Sequence, residues 1–169
     1  VYSPYGRECR DVWTVPEGYK LVGMDASQLE LRMLAHYMND EGYTNEILNG
    51  DIHTANQLAS GLETRDLAKT FIYAFLYGAG DAKIGSIVGG TAKDGKRLKE
   101  KFLRNTPSLA ELRERVGVAA GRGYVLGLDK RRVYVRSAHA ALNTLLQSAG
   151  AIVMKKALCL LDEYAILWG

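Results

Sequence analysis

Four residues spaced four positions apart are the first candidates for chemistry in the stretch TRDLAKTFIYAFLYGAG: Arg65, Lys69, Tyr73 and Tyr77. On an α-helix they form one slowly drifting stripe about 18 Å long, because four residues slightly exceed one turn of 3.6. Two cations then lie at the helix N-terminus, which favours phosphates, and two rings lie beyond them, where a base can stack. The stripe predicts a nucleoside triphosphate site, with His53 of GDIHT as a further donor to a phosphate. The alternative is a solvated basic face above buried tyrosines.

Two carboxylates stand close together in the stretch GMDASQLELRMLAHYM. The apolar run Tyr19–Met24 predicts a strand, and the apolar spacing that follows predicts a helix over residues 28–38. Asp25 is therefore expected at the tip of a strand and Glu30 just inside a helix, an arrangement that suits an acid held at the edge of a cleft. We expect this acid and the stripe to face each other across one hollow. The alternatives are an ordinary turn role for Asp25 and a capping box from Ser27 to Glu30.

The remaining pattern predicts an α+β fold that is mostly helical. Further helices are expected over residues 51–58, 65–76, 91–104, 108–119 and 138–166, with Thr91 as a cap and Gly150 as a candidate break. The stretch RGYVLGLDKRRVYVRS alternates apolar and polar residues around a Leu-Asp-Lys turn, which predicts a β-hairpin. The basic helix 91–104 and the hairpin arginines suit contacts with duplex phosphates, and a solvated charged face explains the helix equally well.

Composition sets wider limits. A chain of 169 residues is about one domain, and 47% apolar with 24% charged residues is typical of a soluble globular protein. Cys9 and Cys159 form no CxxC pair, so we expect reduced packing residues in a cytosolic setting. No signal peptide opens the chain, and no run reaches the roughly 18 apolar residues of a membrane span. Val1 is not a start residue and the last helix ends abruptly, which predicts a piece of a longer chain.

Several segments resemble DNA polymerases of family A. DASQLELRMLAH resembles motif A, usually written DYSQIELR, and R-x-x-x-K-x-x-x-Y-x-x-x-Y-G resembles motif B, the fingers helix that holds the incoming nucleotide. GDIHT, GRECRDVW, the hairpin and HAALNTLLQSAGAIVMKKAL resemble further segments, although Trp13 replaces the usual Phe and Asp129-Lys130 replaces a Gly. The similarity covers about residues 5–160. ILNGDIHT, FLYGAG and ALNTLLQSAGA most resemble replicative polymerases of podoviruses of the T-seven type.

The resemblance implies a partial right-hand polymerase. Residues 1–38 correspond to a palm segment with motif A, and residues 39–120 to the fingers with motif B. Residues 121–169 return to the palm with the hairpin and the N-x-x-x-Q helix, and stop before motif C. The Asp162-Glu163 pair comes too early for motif C and no His precedes it, so we interpret it as an exposed helix face.

The resemblance also implies roles for the residues around the reacting phosphates. Asp25 becomes one of two catalytic carboxylates that bind two Mg²⁺ ions, and the backbone carbonyl of Ala26 becomes a further ligand. Lys69 and Arg65 hold the triphosphate, and Lys69 also serves as general acid to the pyrophosphate. His53 touches a phosphate oxygen.

Other implied roles concern the sugar, the base and the DNA. Glu30 becomes the steric gate that fills the space of a ribose 2′-OH, and Tyr77 abuts the templating position. Tyr73 stands where many relatives have Phe, a choice linked to poor discrimination against dideoxynucleotides. The DNA-binding residues are Asn143 and Gln147, which read the minor groove, with Arg132 and Arg136 on the hairpin.

These inferences predict a fragment of a DNA-templated DNA polymerase that transfers nucleotides from dNTPs to a primer 3′-OH in phage DNA replication. The expected partners are primer–template DNA, dNTPs and, in the full-length protein, a processivity factor such as host thioredoxin; the expected location is the host cytoplasm. Without the second carboxylate the fragment alone is expected to be inactive. Two alternatives stay open: a single-subunit RNA polymerase, against which Glu30 argues, and a non-catalytic nucleic-acid-binding module.

Overall fold

The computed structural model describes residues 4–168, with side chains described as far as residue 165. Within this range the chain forms nine α-helices, a two-stranded antiparallel sheet and one 3₁₀ turn. In chain order these are α1 (Gly6–Asp11), α2 (Leu29–Met38), α3 (Glu41–Asn49), α4 (Ile52–Ser60), α5 (Arg65–Leu76), α6 (Asp81–Ile87), α7 (Ala92–Asn105), α8 (Pro107–Ala120), β1 (Tyr124–Leu126), β2 (Arg132–Tyr134), the 3₁₀ turn (Ala138–Ala140) and α9 (Ala141–Trp168). The predicted α+β class, mostly helical, is confirmed.

Most of the predicted helices are confirmed, α5 with the predicted bounds, whereas α1, α3 and α6 were not predicted. The expected break at Gly150 is wrong, since α9 runs through this position without interruption. A Cβ atom at Gly150 would lie 3.1 Å from Cδ2 of Leu29 in the loop-to-helix junction of α2. The glycine therefore allows close packing of α9 against the start of α2 and does not end the helix.

The strand predicted over Tyr19–Met24 is wrong. Residues 13–28 contain turns but neither helix nor strand, and the large apolar side chains of this segment are exposed, with Val22 at 80%. An apolar run becomes a strand only where a neighbouring strand pairs with its backbone N–H and C=O groups. In the described part of the chain the only strand partners are β1 and β2, which pair with each other. Asp25 consequently lies in an irregular segment and not at a strand tip.

The core is organised around three aromatic rings, which fix the orientation of α5. Phe71 and Phe75 of α5 pack on Phe102 of α7 with ring centroids 5.2 and 5.6 Å away, and both contacts are edge-to-face, a favourable geometry for aromatic pairs. The same core takes in apolar side chains of α2, α8 and α9, among them Leu31, Leu34, Leu109, Leu112, Leu145 and Leu146. Because one face of α5 is anchored in this way, its other face must point outward.

The predicted hairpin is confirmed. Tyr124 pairs with Tyr134, and Leu126 pairs with Arg132. The turn closes with a hydrogen bond from the Lys130 amide to the Gly127 carbonyl. Lys130 itself adopts a left-handed conformation with φ of 64°.

Two expectations drawn from composition need correction. Cys9 and Cys159 are free as expected, but both are exposed and neither packs in the core. The helical stretch Ala138–Ala165 is long and apolar enough to cross a membrane by length and composition, contrary to the expectation that no segment qualifies. A core helix meets the same criterion, and the first half of α9 is one, with Leu142, Leu145, Leu146 and Ala149 buried. The half beyond Met154 is mostly exposed.

Two glycine-to-alanine substitutions should change stability in opposite directions. A Cβ atom at Gly95, in α7, would overlap the backbone carbonyl of Asp81, so we expect Gly95→Ala to lower the free energy of unfolding by about 1–3 kcal/mol. A Cβ atom at Gly117, inside α8, meets nothing within 4 Å, so Gly117→Ala should raise it by about 0.5–1 kcal/mol. Urea unfolding measures both values. Equal changes of one sign would contradict the close α6–α7 packing.

Candidate active site

The stripe on α5 occupies the outward face of the helix. Thr64 begins the helix by accepting a hydrogen bond from the Leu67 amide at 3.2 Å, and α5 buries Ala68, Phe71, Ile72, Phe75 and Leu76 on its other side. Arg65 and Lys69 are exposed, Tyr73 is half-buried, and Tyr77 is 52% exposed. Of the two rings that the alternative buries, Tyr77 is exposed and Tyr73 is partly buried against the core.

Asp51 and Arg65 form a two-point ion pair at the N-terminal end of the stripe. Nε of Arg65 donates to Oδ2 of Asp51 at 2.5 Å, and Nη2 donates to Oδ1 at 3.0 Å. Asp51 is also the N-cap of α4, where Oδ1 accepts from the backbone amide of His53 at 3.1 Å. The guanidinium holds the pKa of Asp51 well below its usual range. One carboxylate thus joins the starts of α4 and α5.

His53 is buried, with 4% of its surface exposed, and lies beside Tyr73 with ring centroids 6.2 Å apart. Its Nδ1 atom has no hydrogen-bond partner among the residues that the structure describes. Burial lowers the pKa of the imidazole, and the positive charges of Arg65 and Lys69 lower it further. The imidazole thus lies beside the stripe with one buried ring nitrogen unpaired among the described residues.

Glu30 closes the other end of the stripe. Its Oε1 atom accepts from the hydroxyl of Tyr77 at 3.3 Å and from Nε2 of Gln147 at 3.2 Å, which joins α2, α5 and α9. The capping box expected from Ser27 is not formed, because Gln28 is the N-cap of α2 and its side chain makes no cap hydrogen bond. Burial raises the pKa of the Tyr77 phenol, and the negative charge of Glu30 raises it further. The carboxylate is thereby held over the aromatic end of the stripe.

A hollow of about 390 Å³ brings the acids and the stripe together. Its lining includes Asp25 and Ala26 from the irregular segment, Glu30 from α2, Tyr73 from α5 and Met154 from α9. The lining includes Tyr73 and not Lys69, which lies one turn earlier on the same outward face of α5. Tyr73 is the one stripe residue that lines this hollow, so the acid meets the aromatic part of the stripe there, and its expected position facing the cations Arg65 and Lys69 stays a prediction.

The hollow offers a partial set of oxygen ligands for a metal ion. No group of three or more His, Cys, Asp and Glu residues suitable for a metal occurs in the described chain. Asp25 is exposed at the hollow, next to Ala26. One carboxylate and one carbonyl fit a Mg²⁺ site that takes its remaining ligands from phosphates and water. Asp162 and Glu163 lie elsewhere, exposed on the second half of α9.

The four residues predicted to contact DNA lie on α9 and around the hairpin. Gln147 belongs to the cluster with Glu30 and Tyr77, and Asn143 lies one turn before it, half-buried. The guanidinium of Arg132 stacks on the ring of Tyr124 at 4.9 Å, and Arg136 is exposed after β2. Tyr77 and Gln147 are thus in one cluster, whereas the two arginines belong to the hairpin segment and make no recorded contact with that cluster.

Comparison with known proteins identifies the family. The family model for DNA polymerase family A matches residues 1–165. The chain belongs to DNA polymerase family A.

Individual members of this family share much of the sequence. The chain is 52% identical to the DNA-directed DNA polymerase of Escherichia phage T7, with 92% of this chain and 26% of that protein covered. Identity to the DNA-directed DNA polymerase of Escherichia phage Phieco32 is 43%, over 89% of this chain and 30% of that protein. The chain therefore spans less than a third of the length of these two polymerases.

The fold of the chain is also similar to that of a solved polymerase domain. The POL domain of Pol1 from M. smegmatis, solved in complex with DNA primer-template and dNTP, aligns with a TM-score of 0.77 and 23% identity. The alignment covers 97% of this chain and 33% of that one. The polymerase chain described here thus has the fold of part of a right-hand polymerase domain.

Sequence reasoning missed the partner of Arg65 in this polymerase chain. The N-cap position of Asp51 is readable in the local pattern Asp-Ile-His-Thr. Its ion pair with Arg65 spans 14 positions and depends on how α4 packs on α5, for which no local signal exists. Met154, which lines the hollow from α9, was missed for the same reason.

The neutral, buried state of His53 should make folding sensitive to pH. Because its folded pKa lies below the unfolded value of about 6.5, the unfolded state binds the proton more readily. Folded stability should therefore be full above about pH 6.5 and decline as the pH falls from there toward the folded pKa. We expect urea unfolding at about pH 7.5 and about pH 5.5 to show a larger loss for the wild type than for His53→Gln.

The exposed His139 supplies the matched control for this comparison. His139→Gln should keep the pH dependence of the wild type, because folding does not take this exposed side chain out of water. An unchanged dependence in His53→Gln would contradict a neutral His53 in the folded protein.

Proposed function

We propose that the protein containing this chain is a DNA-templated DNA polymerase whose incoming dNTP lies along the outward face of α5. The observation that carries the proposal is the shared hollow, in which Asp25 and Glu30 meet Tyr73 of the stripe. Along α5 the cations precede the rings, in the order of the triphosphate and the nucleoside, and the two carboxylates line the hollow beside Tyr73. Under this proposal residues 1–38 and 121–169 belong to the palm and residues 39–120 to the fingers.

The triphosphate is bound at the N-terminal end of α5. Arg65 and Lys69 are exposed there, and Lys69 forms no ion pair with any residue that the structure describes, so its ammonium group is available for phosphate. His53, beside Tyr73 at the edge of the stripe, is the further residue proposed to touch a phosphate oxygen. As the pyrophosphate leaves, Lys69 acts as its general acid, which places a proton donor on the atom that gains negative charge.

The sugar and base lie at the aromatic end of the stripe. Glu30 is held there by Tyr77 and Gln147, so its carboxylate occupies a fixed volume beside Tyr73. A ribose 2′-hydroxyl would compete for that volume, which makes Glu30 a steric gate in favour of deoxyribose. Tyr77 abuts the templating position, and Tyr73 packs against the sugar.

Asp25 and the carbonyl of Ala26 would hold the metal. Two Mg²⁺ ions, when bound, stabilise the attacking 3′-oxygen and the leaving pyrophosphate of an in-line displacement. Asp25 supplies one of the two carboxylates that such a site uses, and its position at the hollow keeps that charge next to the phosphates. We propose that the 169 residues by themselves do not extend a primer, since Glu30, the other carboxylate at the hollow, is engaged by Tyr77 and Gln147, and the described residues contain no group of three or more metal-ligating side chains.

Primer–template DNA is the proposed macromolecular partner. Asn143 and Gln147 lie one turn apart on α9 and suit acceptors in the minor groove, while Arg132 and Arg136 suit backbone phosphates. The M. smegmatis Pol1 domain of the same fold was solved with DNA primer-template and dNTP. The phage relatives support a role in phage DNA replication in the host cytoplasm. A processivity factor such as host thioredoxin is a further proposed partner of the full-length protein.

Removing the metal-binding carboxylate should abolish turnover. We expect Asp25→Ala in the full-length protein to lower primer extension by about 10³-fold, because the several kcal/mol of transition-state stabilisation from the metal are lost. DNA binding, measured by fluorescence anisotropy, should be retained. Asp162→Ala, which removes an exposed carboxylate on α9, is the matched control and should extend primers normally. A wild type and Asp25→Ala variant that both lack activity would favour the non-catalytic module.

Removing the gate should relax sugar selection. In Glu30→Ala we expect incorporation of rNTPs relative to dNTPs to rise about 10- to 100-fold, because a pocket that excludes one small group discriminates by about this factor. Glu41→Ala removes a first-turn carboxylate from α3 and should leave selection unchanged. A wild-type protein that prefers rNTPs would support an RNA polymerase and overturn this proposal.

A further inference from the structure

Each carboxylate oxygen of Asp51 accepts one hydrogen bond from α4 and one from Arg65 of α5. Oδ1 accepts from the His53 amide at 3.1 Å and from Nη2 of Arg65 at 3.0 Å. Oδ2 accepts from the hydroxyl of Thr54 at 2.8 Å and from Nε of Arg65 at 2.5 Å. The carboxylate is thus oriented by the first turn of α4 and passes that orientation to the guanidinium on α5.

We infer that Asp51 is a positioning residue for the triphosphate: it holds the Arg65 guanidinium in place before the ligand arrives. The inference rests on the proposed function of the stripe. Arg65 carries more N–H donors than the two that Asp51 engages, so the held guanidinium still has donors for a phosphate. Its side chain remains 47% exposed in the pair, which leaves it accessible to the ligand.

Pre-ordering matters here because arginine is long and flexible. A free Arg65 on the surface of α5 would have to be immobilised by the triphosphate itself, and this ordering lowers the affinity. A two-point contact with a carboxylate fixes the plane of the guanidinium as well as its position. The same carboxylate also fixes the first turn of α4, which carries His53, so two phosphate-binding groups share one anchor.

Asp51 also has an effect that weakens triphosphate binding. The negative charge of Asp51 repels a triphosphate and neutralises part of the charge of Arg65, so its removal could tighten binding. Exposure favours the positioning effect, since water and salt screen the repulsion between exposed charges while the loss of side-chain order is unaffected by salt. The two effects change the dNTP affinity in opposite directions, so one measurement separates them.

The test uses Asp51→Asn in the full-length protein. Asparagine keeps an oxygen for the His53 amide and is an equally good N-cap, but it presents an amide where Arg65 needs a carboxylate. We expect KM for dNTP to rise about five- to tenfold with kcat within about twofold, the loss expected when the ligand must order one long side chain. Asp40→Asn makes the same change at the N-cap of α3, where Asp40 accepts from the Tyr43 amide, and should leave KM unchanged.

A double-mutant cycle shows whether Asp51 acts through Arg65. In an Arg65→Ala background the further change Asp51→Asn should have no additional effect on KM, because the group that it positions is gone. An equal loss in both backgrounds would assign the effect to the cap of α4. An unchanged or lowered KM in the single variant would overturn the inference.

A direct binding measurement separates this inference from the proposed function. Inorganic tripolyphosphate, titrated calorimetrically into wild type, Asp51→Asn and Arg65→Ala, reports the phosphate site without any nucleotide chemistry. We expect Asp51→Asn to weaken its binding about five- to tenfold, as for the dNTP. If the wild type binds tripolyphosphate with this dependence but extends no primer, the proposed function fails and the positioning role stands. If the wild type extends primers and Asp51→Asn binds tripolyphosphate normally, the positioning role fails alone.

Discussion

The packing of Phe71 and Phe75 of α5 on Phe102 of α7 is the constraint on which the site depends. These contacts bury one side of α5, so the other side of the helix faces outward. This outward side carries the stripe of Arg65, Lys69, Tyr73 and Tyr77. A helix that was free to rotate about its axis would not keep charges and rings in register with a ligand.

A different carboxylate contacts the stripe at each of its two ends. Asp51 contacts Arg65 at the cationic end, and Glu30 contacts Tyr77 and Gln147 at the aromatic end. The residues that they bring together are as much as 117 positions apart in the chain, so each contact reports the relative placement of whole helices. A stripe whose two ends are both held by hydrogen bonds is well suited to a ligand with a highly charged end and an apolar end.

The charge around the stripe changes along the length of the stripe. At the α4 end, burial and then the positive charge of Arg65 lower the pKa of His53 and favour its neutral form. Farther along, burial and then the negative charge of Glu30 raise the pKa of Tyr73 and keep its phenol protonated. The sign of the local charge therefore changes from positive to negative over a few helical turns. This change matches a ligand whose phosphates bind at one end and whose sugar is checked by a carboxylate at the other.

The sequence by itself determined the helices with strong apolar periodicity, the hairpin and the stripe on α5, because spacing within one helix or one turn is a local property. It also determined the family, since the motif residues are contiguous in the chain. Only the tertiary structure decided that Tyr19–Met24 is not a strand, because a strand exists only where another strand accepts its hydrogen bonds. It alone decided that Glu30 bonds Tyr77 and Gln147 instead of capping α2, that Gly150 marks a close approach to Leu29, and that Asp51 holds Arg65. In each of these cases the deciding atom belongs to a residue distant in sequence, and no local pattern encodes its position.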